Sequence, residues 1–559
     1  MSRVERTRLV DDDGLAGLRA PRRDLVREEP LGDDTFTLVD GPFRSYRRTL
    51  DVRPGPDGRH RVTERTEFSL AVPLWGPVVR PLMARALADT DRRPRNRWWW
   101  PAEVVGRRTS ELIGALCVIS VMAGYLGVVI GQTITFAAAD FGRTDSAQAN
   151  TLAATRIGVL LSVLLIHRAD RIGRRPLILW FTIGAIVFTV AGAAAPSLAV
   201  LGATQTIGRG LTTGLITLIM LAATEEAPAG SRALAISLAT VAAALGAGMV
   251  IWVLPVAGAA DGGWRVVYLV PLLFLPLLRW VSRHLPETRR FDAAAEAGAP
   301  ATVDWWRFAL IGGTAFLSAI YLSPASQLRN EFLRDDRGYS AAGISLFQLL
   351  VSTPAGVSIV VAGRAADRLG RRRVGAVGVA AGAVLSAISY QVGGPAMWLT
   401  ASAGVILAGA AFPATRGYST ELFPTRARAR VGGLLDAVTV AGSAVGLVVA
   451  GYLAHRWGSL GDAIGVLAVF PVLVAAAILF LFPETAAVEL EAFNPDDPAL
   501  DPNRGATSGG LRADATDPEP AAQPEPGNPE PAAQPEPTAQ PEPDSPDNQE
   551  ETADTTAGS

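Results

Sequence analysis

"RADRIGRRP" occupies residues 168 to 176, directly after an apolar run, and a near copy, "RAADRLGRRR", occupies 364 to 373. Asp170 and Asp367 lie 197 residues apart. "PET" at 286 to 288 returns at 483 to 485 with the same separation, and E-x-x-P-x-x-x-R occurs as Glu225, Pro228, Arg232 and as Glu421, Pro424, Arg428, 196 apart. Three different motifs sharing one offset predict a duplicated chain made of two homologous halves.

The sequence around these motifs is a series of apolar runs of roughly 18 to 25 residues, each long enough as a helix to cross a hydrocarbon layer of ~30 Å. Twelve are predicted, at 111–138, 149–168, 176–195, 199–223, 232–258 and 264–284 in the first half, and at 305–326, 341–362, 374–391, 396–417, 431–454 and 462–482 in the second. The fold class is therefore an all-α membrane protein of twelve transmembrane helices in two six-helix pseudo-repeats, residues 109–284 and 305–488, joined by a central loop at 285–304. Charged residues are only 19% of the 559, which fits this reading.

All 51 basic residues are arginine, suggesting a GC-rich and hence bacterial genome, and their placement orients the chain. They gather before the first span and in alternate connections, at 168–175, 283–290, 364–373 and 426–430, which makes those the cytoplasmic sides. Twelve crossings then leave both termini in the cytoplasm of a multi-pass cell-membrane protein. Cys117 is the only cysteine, and His60, His167, His284 and His455 are too scattered for a zinc cluster. No nucleophile with a base, phosphate loop or ATP-binding motif supports an enzyme or a primary pump. The chain is expected to need no metal or cofactor, to bind no nucleic acid, and to act as a monomer on a small solute among membrane lipids.

These motifs resemble the major facilitator superfamily of secondary transporters. Its signature G-x-x-x-D-R-x-G-R-R is matched by Gly363, Asp367, Arg368, Gly370, Arg371 and Arg372; the first copy has Asp170, Arg171, Gly173, Arg174 and Arg175, with Ile166 in place of the leading glycine. The resemblance extends over about 111–488, and "PET", E-x-x-P-x-x-x-R and "IGRG" (Gly208, Arg209) are closest to the sugar-porter and metabolite:proton-symporter branches. It implies alternating access by rocking of the halves, with a cytoplasmic latch formed by these motifs together with Glu225, Arg232, Glu421, Arg428, Glu287 and Glu484. Ile166 predicts a first-half latch packed less closely than the second. The helix-5 element of proton antiporters is absent, favouring proton-driven uptake of a sugar, carboxylate or similar metabolite over efflux. Efflux, facilitated diffusion and a transporter-like receptor are the competing readings.

Ionisable groups inside the bilayer cost roughly 2.5 to 3.5 kcal/mol each on insertion scales, so each marks a partner or a purpose. Arg209 matches the family's fourth-helix arginine, but Leu126 stands where the resemblance implies a proton-accepting Asp on the first helix. Arg156 and Asp140 are expected to pair near the outer surface, and Asp436 is a further candidate for coupling. Gln132, Tyr321, Gln327, Gln348 and Arg416 are the polar candidates for the substrate cavity. "GSAVG", with Gly442 and Gly446, reads as a helix-packing seam.

Before the membrane part, residues 1–30 are expected to be disordered and 31–108 to form a small cytoplasmic α+β appendage: three alternating segments, a "PGPDG" turn and an amphipathic "GPVVRPLMARAL". It reads as a packing or regulatory module. Residues 489–559, rich in Pro and Glu, are expected to be a disordered tail.

Overall fold

The computed structural model describes residues 2–72, 74–89, 103–143, 145–257, 259–296, 302–339, 341–495 and 497. Most of the Pro/Glu tail, and the "WWW" at 98–100, lie outside these residues.

The amino-terminal part is a five-stranded antiparallel sheet in the order β1-β5-β4-β3-β2, built from β1 (Ser2–Val10), β2 (Arg27–Gly32), β3 (Thr35–Asp40), β4 (Phe43–Pro54) and β5 (His60–Leu70). Two helices, α1 (Asp12–Arg19) and α2 (Gly76–Ala88), complete it. Leu15 and Leu18 of α1 pack with Phe36, Leu50 and Val62, while Met83, Ala86 and Leu87 of α2 pack with Phe43, Tyr46 and Phe68. A buried polar layer lies among them. Arg48 forks onto Glu28 at 2.9 and 2.7 Å and donates to the carbonyls of Leu18 and Ala20, while Tyr46 donates to Glu28 at 2.6 Å. Residues 2–30 are thus ordered, contrary to the expectation of disorder. Their strand, with Arg3, Glu5, Arg6 and Arg8 among nine residues, is held by backbone pairing to β5, which hydrophobicity does not reveal.

The remainder is helical. The elements are α3 (Arg107–Asp140), α4 (Asp145–Ile166), the short α5 (Ala169–Ile172), α6 (Arg174–Ala193), α7 (Leu198–Glu226), α8 (Arg232–Ala257), and α9 (Trp264–Leu269) continuing into α10 (Phe274–His284). After α11 (Arg289–Glu296) come α12 (Trp305–Gln327), α13 (Arg329–Glu331), α14 (Ala341–Leu369), α15 (Arg371–Gln391), α16 (Gly394–Glu421), α17 (Arg428–Trp457), and α18 (Leu460–Leu467) followed by α19 (Val469–Leu481). Among the described residues eleven spans are long and apolar enough to cross a membrane. The second expected span coincides with the 22-residue α4, several of whose side chains lie outside the described residues.

Close backbone crossings hold each half together. A Cβ on Gly124 would fall 1.8 Å from the Ala243 carbonyl oxygen and one on Gly246 1.8 Å from that of Val121, so α3 and α8 touch through their backbones. Gly442 and Gly446 repeat this between α17 and α12, where a Cβ would meet the Phe316 and Ile320 carbonyl oxygens at 2.5 and 2.2 Å.

Candidate functional site

The repeated motifs converge at the arginine-rich end of the bundle. Gly173 (φ 113°) and Gly370 (φ 98°) make the turns into α6 and α15 in a region that side chains avoid. A Cβ there would also strike the Glu287 and Glu484 carboxylates, at 2.4 and 2.5 Å. Those carboxylates accept the first amides of the next helix: Arg174 and Arg175 donate to Glu287, and Arg371 and Arg372 to Glu484. Each "PET" glutamate is therefore an N-terminal cap within its own half rather than a tie between halves.

The aspartates do cross. Asp170, at the end of the first half's second helix, accepts the backbone N–H groups of Ala429 and Arg430 at 3.1 and 2.9 Å, at the start of α17. Asp367 accepts those of Ala233 and Leu234 at 3.2 and 3.1 Å, at the start of α8. Each half thus caps a helix of the other. Burial pushes the Asp170 carboxyl up to about 6, against the opposing pull of Arg174 and the two amides.

Behind each aspartate is a fully buried arginine. Arg174 forks onto Glu225 at 3.0 and 2.8 Å and donates to the Ala169 carbonyl, and its Nη2 reaches the Thr425 carbonyl of the other half. Arg371 contacts Glu421 and, at 3.3 Å, Asp367. Arg428 lies 3.5 Å from Glu225 across the halves and 3.3 Å from Asp497, whereas its counterpart Arg232 turns to Glu489 at 2.9 Å and to the Val488 carbonyl. Thr224 and Thr420, 196 residues apart, join hydroxyls across the interface at 3.1 Å. Arg171 and Arg368 are exposed beside this cluster.

The segment after α19 belongs to the same structure. Glu489 also binds Arg290, Glu491 binds Arg290, and Asp497 accepts from Thr425 through backbone and side chain. The expectation of disorder from 489 onward is corrected for these residues. Their carboxylates are neutralised by buried arginines, and Leu490 is fully buried.

The reading of Ile166 is also corrected. Ile166 is fully buried against α17, where a Cβ on Gly433 would fall 2.5 Å from the Ile166 Cγ2. In the second half the relation is reversed: a Cβ on Gly363 would fall 2.1 Å from the Ser237 Oγ of α8. The first crossing keeps its glycine on the facing helix, so the isoleucine packs closely.

About two turns deeper, Asp436 of α17 accepts from Thr217 of α7, in the other half, and lies 3.4 Å from Arg416 of α16. Asp436 is buried, and among the described side chains it is the only acid more than two turns from the end of a spanning helix. Arg209 donates to the Gly127 carbonyl at 2.6 Å, next to Leu126, so a backbone oxygen meets it where an acid was implied. Asp140 pairs with Arg265 at 2.7 Å and with the Trp264 indole N–H at 3.1 Å; the side chain of Arg156, its expected partner, lies outside the described residues. The "DGGWR" phrase (261 to 265), which leads into the first turn of α9, carries that partner and is the available signal.

The other polar candidates are dispersed. Gln132 is exposed on α3, Tyr321 donates to the Ala383 carbonyl at 2.8 Å, Gln327 to the Ser323 hydroxyl at 2.6 Å, and Gln348 to Asn330 at 2.9 Å. Tyr321 and Gln348 thus bond between helices, and Gln327 within its own.

Comparison with known proteins agrees with this architecture. Residues 308–504 match the family model of the Major Facilitator Superfamily. The proton:xylose symporter XylE bound to 6-bromo-6-deoxy-D-glucose is similar in structure over 70% of this chain and 99% of its own, with 18% identity and a TM-score of 0.57. FucP in the outward conformation matches over 66% and 98%, with 14% identity and a TM-score of 0.54. The human organic anion transporter MFSD10 matches over 66% and 99%, with 14% identity and a TM-score of 0.52. No curated protein matches in sequence.

Proposed function

We propose, from the premise that the chain is a major facilitator superfamily transporter, that it carries a small organic solute across a cell membrane by alternating access in symport with protons. The arginine-rich end is taken as cytoplasmic, with twelve crossings and both termini inside. The cross-half hydrogen bonds described above all lie toward that end, which supports reading this conformation as closed to the cytoplasm and open outward.

The observation that carries the coupling is Asp436, a buried acid held by an arginine of its own half and a threonine of the other. Protonation would weaken its hold on Arg416, and rocking of the halves would part it from Thr217, so proton occupancy and conformation are linked at one carboxylate. This site does the work that the absent first-helix acid would do. The solute class, a sugar, carboxylate or similar metabolite, is supported by the motifs and by what XylE and MFSD10 are named for.

The test is uptake into proteoliposomes under an imposed proton gradient, screened over sugars, carboxylates and aromatic acids. Asp436→Asn is expected to abolish gradient-driven accumulation while leaving solute exchange intact. Accumulation by the variant equal to wild type would overturn the assignment. Wild-type uptake indifferent to the gradient would favour facilitated diffusion.

A further inference from the structure

The amino-terminal domain is fixed to the bundle at a level that places one of its helices at the membrane surface. The Trp75 indole donates to the Gly114 carbonyl of α3 at 3.1 Å, and its ring packs on the apolar core of the first half. Gly114 is seven residues along α3, about 10 Å from its start, and follows the first buried leucine of the span, Leu112. Arg44 pairs with Glu111 at 3.2 Å, and a Cβ on Gly106 would touch Asp40, so the domain is tied to the start of α3 at further points.

Directly from Trp75 runs α2. Its inner face, Met83, Ala86 and Leu87, is buried against the sheet. Its outer face carries Val78 and Leu82 one turn apart, 62% and 37% exposed, and Leu74, two residues before the helix, is 54% exposed beside its start. Arg80 and Arg85 are exposed beside them, and the helix has no acidic residue. The last two carbonyls of the helix are tied to the domain: that of Leu87 accepts from Arg22 and that of Ala88 from Arg6. The helix is therefore a rigid part of the domain, with an apolar stripe flanked by arginines, starting where the bundle enters its apolar zone.

We propose that this outer face of α2 rests on the leaflet at the arginine-rich end, with Leu74, Val78 and Leu82 at the acyl boundary and Arg80 and Arg85 on anionic lipid headgroups. The proposal rests on the bundle spanning a membrane. It is set apart from a protein-docking surface by its continuity with the α3 contact: Trp75 fixes the start of the stripe at interfacial depth. Through Trp75 and Arg44, the anionic content of the leaflet would then bear on α3 and on the tilt of the first half.

The test uses the full chain with Cys117→Ser, a single cysteine at Val78 or Leu82 labelled with an environment-sensitive fluorophore, and Asp57→Cys at the far β4–β5 turn as reference. In phosphatidylcholine vesicles containing phosphatidylglycerol and nitroxide-bearing lipid, quenching at 78 and at 82 is expected to exceed that at 57 by about twofold or more. Arg80→Glu with Arg85→Glu, or omission of phosphatidylglycerol, is expected to weaken membrane contact by about fivefold per arginine lost. Quenching at 78 and 82 no greater than at 57, or unchanged without phosphatidylglycerol, would overturn the proposal. Shielding seen only in native membranes and not in these vesicles would also overturn it, in favour of a protein partner.

Discussion

In the first half Ile166 presses on Gly433 of the facing helix; in the second, Gly363 faces Ser237. Ile166 and Gly363 are equivalent positions of the repeat, and so are Ser237 and Gly433. The two crossings need one glycine each, and the duplicated halves place it on opposite partners. Close approach is a property of the pair, and a motif read on one strand of the pair misses half of it. The charges differ in the same way. Glu225 meets Arg174 and Arg428, whereas Glu421 meets Arg371 while Arg232 is drawn off to Glu489.

The largest effect should come from that imbalance. Arg371→Met removes the ion-pair partner described for Glu421 and is expected to cost about 3 to 5 kcal/mol, the range for an orphaned buried charge. Arg174→Met should cost visibly less, because Arg428 remains within reach of Glu225. Thermal unfolding of the two variants side by side checks this; equal losses would erase the asymmetry.

The glycine exchange should follow at about 1 to 3 kcal/mol. Gly433→Ala and Gly363→Ala each push a methyl into a neighbour. Ile166→Gly is expected to rescue the first and Ser237→Gly to rescue the second in part, since the Ala233 carbonyl oxygen would still lie 2.8 Å from the added methyl, while the crossed combinations rescue neither. A double-mutant cycle showing no coupling at either pair would break the comparison.

A smaller effect concerns pH. The Asp170 carboxyl is raised to about 6 in the closed latch, so this state binds a proton that a hydrated aspartate would release. Its stabilisation is complete below the ordinary carboxylate range and is lost as pH rises through 6. Acidifying from pH 7 to 5 should therefore favour the latched form by about tenfold. Cysteine accessibility on the cytoplasmic side reads this out, and Asp170→Asn should flatten the dependence.

The repeat offset made the architecture and the latch motifs legible, because charges that cap helices recur at fixed distance from apolar runs. What stayed hidden depends on distant partners. Gly433 lies 267 residues beyond Ile166, and no periodicity links them. Asp140 meets Arg265 because the end of α3 and the start of α9 share one corner. Strand β1 is legible only through its register with β5, and Glu489 and Asp497 look like any acidic tail until the arginines they neutralise are in place.

The segment beyond α19 has a further consequence. Glu489 holds Arg232 of the first half, yet it is covalently attached to the second half through only seven residues from Phe482. Fully extended, that stretch spans about 24 Å. It is a leash with slack: the halves can part at the latch while Glu489 keeps its grip. Contour length, rather than bond strength, then sets the limit of their travel.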